Sequence, residues 1–228
     1  MTAVTAVLWD IDGTLLSSGG VAARAFLDAV AEVTGRRPEG RGLDLGGRID
    51  PEIAAALLRS VAADEDRVPE VLERLRTNAA ARVEEFRAHV RPLAGVVQTL
   101  SALQDAGVRQ TVVTGNIESV GRIKLDAASL VPPIDADLGG YGDGGRDRAD
   151  VARGALDRLV GAGWNRSPEQ CWIVGDTPRD LLCAQALGLR CALVGTGRHS
   201  VSSMRGLGAD VLISDLTNPV ELFDSWNI

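Results

Sequence analysis

Thr5-Ala-Val-Leu-Trp9-Asp10-Ile11-Asp12-Gly13-Thr14 decides how the rest of this sequence is read. The stretch from Thr5 to Trp9 is nearly all apolar and stops abruptly at two aspartates and a glycine, the pattern of a strand buried on both faces of a parallel sheet. Similar short runs recur at Val108–Val113, Cys171–Val174, Cys191–Val194 and Val211–Ile213. Helical periodicity fills the intervals: Leu93–Ala106, Ser119–Ala128, Ala149–Val160, Pro178–Leu187 and Val201–Leu207. Strands alternating with helices of this length predict βαβ units, and right-handed crossovers put the helices on both faces of one parallel sheet. The fold class is α/β.

The segment from Ser17 to Arg91 breaks that rhythm, with helical stretches at Val21–Val33, Pro51–Val61 and Pro69–Arg87 and no convincing strand. It reads as an all-helical insertion, giving a core of residues 1–16 and 92–228 and a helical unit of residues 17–91. Ser17-Ser-Gly-Gly20 and His89-Val-Arg-Pro92 flank it as paired linkers able to bend, so the insertion is expected to sit over the end of the first strand and to move as a lid.

Composition narrows the function. With 228 residues, 45% of them hydrophobic, and a mean hydropathy of +0.06, the chain can bury a sizeable core without staples. A net charge of −7 repels polyanions and argues against a nucleic-acid partner. Val4–Trp9 is too short for a signal segment or a membrane span, so the expected setting is the cytoplasm, with no membrane partner. Cys171, Cys183 and Cys191 lack metal-site spacing and read as buried thiols. The oligomeric state stays open, a monomer included.

In open parallel sheets ligands bind at the carboxyl ends of the strands. The first strand is followed there by Asp10 and Asp12, the second by Thr114-Gly115-Asn116, and the third by Gly175-Asp176-Thr-Pro-Arg-Asp180. Carboxylates gathered in one crevice repel one another, and a bound cation keeps them ionised; oxygen ligands alone favour a hard ion, Mg²⁺ above all. Such an ion bridges carboxylates to a substrate phosphate. One aspartate can then attack phosphorus, and a second, two residues on, can protonate the leaving oxygen and later activate water.

DIDGT, TGN and GDTPRD, in this order and each after an expected strand, resemble the first, second and fourth motifs of the phosphatase branch of the haloacid dehalogenase superfamily, near its phosphoglycolate-phosphatase-like members. The resemblance spans nearly the whole chain and implies a Rossmann-like core with an inserted helical cap. It makes Asp10 the nucleophile and a Mg²⁺ ligand. Asp12 becomes the general acid/base and lends its backbone carbonyl to the metal. Thr114 binds the phosphoryl group, with Gly115 and Asn116 shaping its pocket; Asp176 ligates Mg²⁺ and Asp180 supports the metal site. The implied activity is Mg²⁺-dependent hydrolysis of a small phosphomonoester through an aspartyl-phosphate.

The superfamily's third motif is usually a lysine opening a helix between the second and fourth. The sole lysine, Lys124, stands instead in the helix right after TGN, where a surface or packing role is expected. Arg146 and Arg148 precede the next helix, and Arg148, nearer its start, is the preferred phosphate-binding cation. In the cap, Arg48 is a candidate for a substrate carboxylate or second phosphate.

Rival readings share some of these signals. A phosphosugar mutase of the β-phosphoglucomutase type resembles both core and cap, and a non-catalytic phospho-binding module needs only the pocket. A dehalogenase fits poorly, because Asp12 would have no proton to deliver to a halide. Gly140, Gly142 and Gly145 spell GxGxxG after a short run, Ile134–Leu138, that could be a strand, but no acidic residue follows at the ~20-residue distance that ribose binding needs. His89 and His199, placed in a linker and at the surface, leave a Ser-His-Asp hydrolase little to work with.

Overall fold

The apolar runs become strands. The computed structural model describes residues 3–39 and 45–228. Its strands are β1 (Ala6–Trp9), β2 (Leu16–Ser17), β3 (Arg91–Pro92), β4 (Arg109–Val112), β5 (Cys171–Gly175), β6 (Arg190–Val194) and β7 (Val211–Ile213). Five of them form a parallel sheet in the order β4-β1-β5-β6-β7. Every residue of β1 and β5 is buried, as the unbroken hydrophobicity of their sequences requires.

The helices are α1 (Val21–Thr34), α2 (Asp50–Ser60), α3 (Val68–Ala80), α4 (Val83–His89), α5 (Val96–Asp105), α6 (Glu118–Ala127), α7 (Arg148–Gly161), α8 (Pro178–Leu187), α9 (Val201–Met204) and α10 (Val220–Trp226). Successive strand side chains point to opposite faces, and two cores result. Val7 and Trp9 of β1 join Leu100 of α5, Leu125 of α6 and Trp226 of α10 on one face. Ala6 and Leu8 join Ala155 of α7 and Ala184 of α8 on the other. Trp9, expected to be core, is fully buried, and its ring meets Trp226 edge-on at 6.4 Å.

Between β2 and β3 run α1 to α4, which add no strand to the five-stranded sheet. The two flanking segments pair antiparallel, Leu16 opposite Pro92 and Ser17 opposite Arg91, and the Leu93 amide donates to the Leu15 carbonyl at 2.9 Å. Phe26, Leu57 and Leu75 of the insert belong to the same buried cluster as Val7 and Trp9.

Three details differ from the sequence reading. The helix expected over Pro69–Arg87 breaks at Ala81–Arg82, where the Arg82 guanidinium donates at 2.9 Å to the Asn78 carbonyl that a continuous helix would give to the Arg82 amide. Ile134–Leu138 is no strand: it ends in a 3₁₀ turn, though Asp135 and Gly140 still donate their amides to Gln110 and Val112 of β4. Within the GxGxxG run Gly142 packs against the loop after β4, where a Cβ would stand 2.0 Å from the Gly115 carbonyl oxygen. The buried Cys171, Cys183 and Cys191 are free thiols.

Trp226 fills its site by volume alone, for its indole nitrogen has no hydrogen-bond partner. Trp226→Ala is expected to cost about 3–5 kcal/mol, and Trp226→Phe less than half of that because no hydrogen bond is lost. Denaturant unfolding midpoints of the two variants check the contrast.

Candidate active site

The strand register delivers the site. Trp9 is level with Val112 of β4 and Val174 of β5, so Asp10, Thr114 and Asp176 leave the sheet at the same end of three adjacent strands. The Asp10 amide donates to the Val174 carbonyl at 2.8 Å, keeping its backbone in the ladder for one more residue. Gly13, at φ +85°, turns the chain beside Asp176, and a Cβ there would lie 2.6 Å from its Oδ2.

Arg148 organises the carboxylates. Its Nη2 donates to Asp10 Oδ1 at 2.6 Å and to Asp180 Oδ1, and the side chain is only 8% exposed. Asp147 caps α7 by accepting from the Asp150 amide at 2.8 Å, which fixes where the helix starts and turns Arg148 inward. Arg146, before the cap, is 91% exposed and pairs with Asp150. Asp180 has its other oxygen taken by the Thr177 amide at 3.0 Å and hydroxyl at 2.7 Å at the start of α8.

One oxygen from each of Asp10, Asp176 and Asp180 lies within 4.8 Å of the others, and all three residues are buried. Burial, with the Asp180 and Asp176 charges added and only Arg148 opposing, pushes the Asp10 carboxyl well above its ordinary range. Burial and the Asp180 charge push Asp176 up to about 7. Crowded oxygen donors of this kind suit a hard divalent cation. Because Asp180 already serves protein donors, Asp10 and Asp176 are the pair that faces the cavity.

Asp12 and Asn116 form a second cluster. Asn116 Nδ2 donates to Asp12 Oδ2 at 2.8 Å and to the Thr114 hydroxyl at 2.7 Å. Lys124, expected at the surface or in helix packing, is instead 2% exposed; its Nζ donates to Asp12 Oδ2 at 2.5 Å and to Asn116 Oδ1 at 2.6 Å. The lone lysine lies six residues into α6, two turns past TGN on the face toward Asp12, a placement that helix packing decides and spacing alone does not. Burial works to raise the Asp12 carboxyl, but the Lys124 charge and the bonds from Lys124 and Asn116 hold it below its ordinary value.

The insert closes over both clusters. The Asp50 amide donates to the Gly115 carbonyl at 2.7 Å, and the Asp50 carboxylate accepts from the Ile117 amide at 2.8 Å. Arg179 Nη1 reaches the Gly46 carbonyl at 2.5 Å and Arg148 Nη1 the Gly47 carbonyl at 3.5 Å. The result is a cavity of about 720 Å³ whose lining includes Asp10, Asp12, Thr114, Arg148, Asp176 and the predicted Arg48. His199, expected at the surface, also lines it. Of the stretch Leu43–Asp50 around Arg48, Leu43 and Asp44 lie outside the described residues, as do the first two residues of the chain. Asp50, buried at 6% exposure, was not singled out by sequence; the signal available was Pro51 at the first turn of α2, which marks a helix start but not its contact with Ile117.

Comparison with known proteins gives the family and the fold. A family model described as haloacid dehalogenase-like hydrolase matches residues 7–185. The chain is similar to a phosphoglycolate phosphatase of Aquifex aeolicus, 26% identical over 221 residues that cover 96% of each chain. A second phosphoglycolate phosphatase, from Caulobacter vibrioides, is 28% identical over 218 residues, 91% of this chain and 85% of that one. Among solved structures, one from Clostridium acetobutylicum described as a predicted phosphatase superposes with a TM-score of 0.74 at 21% identity, covering 98% of both chains, and shares the fold.

Asp50 yields a pH test. Burial raises its carboxyl from 3.8 to about 7, with the Asp12 and Asp143 charges adding and Ile117 and Lys124 opposing. A carboxyl that holds its proton more tightly folded than unfolded makes stability fall as pH rises between those two values. Asp50→Asn, which keeps an acceptor for Ile117, is therefore expected to gain in melting temperature over the parent as pH rises from about 4 to about 8. A difference independent of pH would show that Asp50 does not titrate in the folded protein.

Proposed function

This chain belongs to the haloacid dehalogenase-like hydrolases, and from that premise we propose that it is a Mg²⁺-dependent phosphatase that hydrolyses a phosphomonoester through an aspartyl-phosphate on Asp10. The observation that carries the reading is the meeting of Asp10, Arg148 and Asp176 at one sheet edge with Asp12 across the same cavity. The two phosphoglycolate phosphatases, alike over most of their length, support the reaction class.

Asp10, Asp176 and the main-chain carbonyl of Asp12 would hold the magnesium ion, which when bound neutralises charge on the transferred phosphoryl group. Asp10 attacks phosphorus as its carboxylate; the bond from phosphorus to the alcohol oxygen breaks and Asp12 gives that oxygen a proton. Asp12, now a carboxylate, takes a proton from water, whose oxygen attacks phosphorus. The bond to Asp10 then breaks, inorganic phosphate leaves and the nucleophile is restored. Thr114 and the Gly115–Asn116 backbone cradle the phosphoryl oxygens. Arg148 stands beside Asp10 to receive both the carboxylate and the phosphate, and Asp180 holds Arg148 in place. The helices α1 to α4 act as a cap that excludes bulk water over the reacting groups.

Lys124 positions Asp12. Its ammonium keeps the Asp12 carboxyl low, which favours the carboxylate that takes a proton from water, and it aims Oδ2 through a shared bond with Asn116. Lys124→Met is accordingly expected to shift one limb of the pH–rate profile upward, whereas a purely structural role would lower the rate at every pH alike.

The deciding experiment is a phosphomonoester panel assayed with and without Mg²⁺ on the parent and on Asp10→Asn. Hydrolysis is expected to require the metal and to vanish in the variant. Hydrolysis that survives Asp10→Asn would remove the nucleophile assignment, and transfer of phosphate to a second sugar hydroxyl of a hexose 1-phosphate would point to a mutase.

A further inference from the structure

The cavity has two unlike walls. The core side carries Asp10, Asp12, Thr114 and Arg148; the insert side includes Ala22 and Phe26 of α1, Ile53 and Leu57 of α2, and Leu75 of α3, with Arg48 and Asp50 beside them. Ala22 with Phe26 and Ile53 with Leu57 are each four residues apart, so each helix turns one apolar face to the same space. Phe26, Leu57 and Leu75 are 8%, 1% and 1% exposed and back this wall from the core, while the half-buried Ala22 and Ile53 offer it their surface. At about 720 Å³ the cavity is in the ~300–1,000 Å³ range of drug-sized ligands, far more than a phosphoryl group and a two-carbon acid would fill.

Two of the charges nearest the insert helices, Asp50 and Lys124, are committed to other partners. The Asp50 carboxylate accepts from the Ile117 amide, and Lys124 serves Asp12 and Asn116. A sugar or glycerol placed against the insert helices would lose water from several hydroxyls and meet methyl and methylene groups in exchange. An apolar body placed there would gain by burial.

We propose that the leaving alcohol of this enzyme is apolar, so that the substrate is a phosphomonoester of an alkyl or aryl alcohol whose body packs against α1, α2 and α3 while its phosphate faces Asp10. This rests on the phosphatase reading above and names its substrate class. Alkyl alcohols of increasing length leave with nearly the same acidity, so the chemistry of phosphoryl transfer stays constant along the series and only burial changes.

The test is kcat/KM with Mg²⁺ for the n-alkyl phosphates from ethyl to hexyl, with phosphoglycolate alongside. Burial of one CH₂ at ~0.8 kcal/mol corresponds to about a fourfold rise per methylene, roughly 200- to 250-fold across the four methylenes of the series. Ile53→Ser, at a half-buried position, is expected to flatten that slope. Turnover with a flat or falling slope would overturn the apolar chamber and leave the phosphatase standing. A kcat/KM for phosphoglycolate above that for hexyl phosphate would do the same and give recognition to Arg48. An unchanged slope in Ile53→Ser would remove the insert wall as its cause, and no hydrolysis of any ester would end both readings.

Discussion

Three buried carboxylates gathered around one guanidinium set the terms for the rest of this molecule. Asp10 and Asp180 share Arg148, and an oxygen of Asp176 lies within 4.8 Å of theirs. Bringing like charges together out of water is unfavourable, and removing Arg148 would take the salt-bridge partner from two of them. The arrangement therefore has to be enforced from outside the cluster. The sheet register fixes Asp10 and Asp176, and the start of α8 engages one oxygen of Asp180. The N-cap of α7 sets the position of Arg148.

That enforcement explains why β1 and β5 are short and entirely buried. A parallel sheet covered on both faces cannot slip without exposing one of its two cores, so the loops after β4, β1 and β5 are held at one level. The chemistry sits where the rigid frame ends. Loops attached to such a frame carry polar groups at little cost to the core, because the sheet and helices already hold the fold.

The insert adds a second constraint. It shares the hydrophobic cluster of the sheet, is tied to the core by the β2–β3 pair, and bonds through Asp50 to both sides of the loop that carries Thr114 and Asn116. Ala22, Phe26, Ile53 and Leu57 of its helices line the same cavity as Asp10, Asp12 and Arg148 of the core. A phosphate ester is itself divided in this way, with an anionic end where bonds change and an alcohol end that is carried along.

Much of this was written in the order of residues. Short apolar runs ending in aspartate, threonine or glycine fixed a parallel sheet with its polar loops at one edge, because strand burial and the switch to polar residues are local properties. The preference for Arg148 over Arg146 followed from its nearness to the helix start, which is local too. Lys124, Asp50 and the apolar wall were not legible in this way: Lys124 meets Asp12, and Asp50 meets Ile117, only because packing decides how α6 is rotated and where α2 begins relative to the loop after β4. The sequence by itself determined the sheet, the position of its reactive edge and the donors placed there. Tertiary structure alone decided which cation serves which carboxylate and what surface faces them, since those depend on distances between segments distant along the chain.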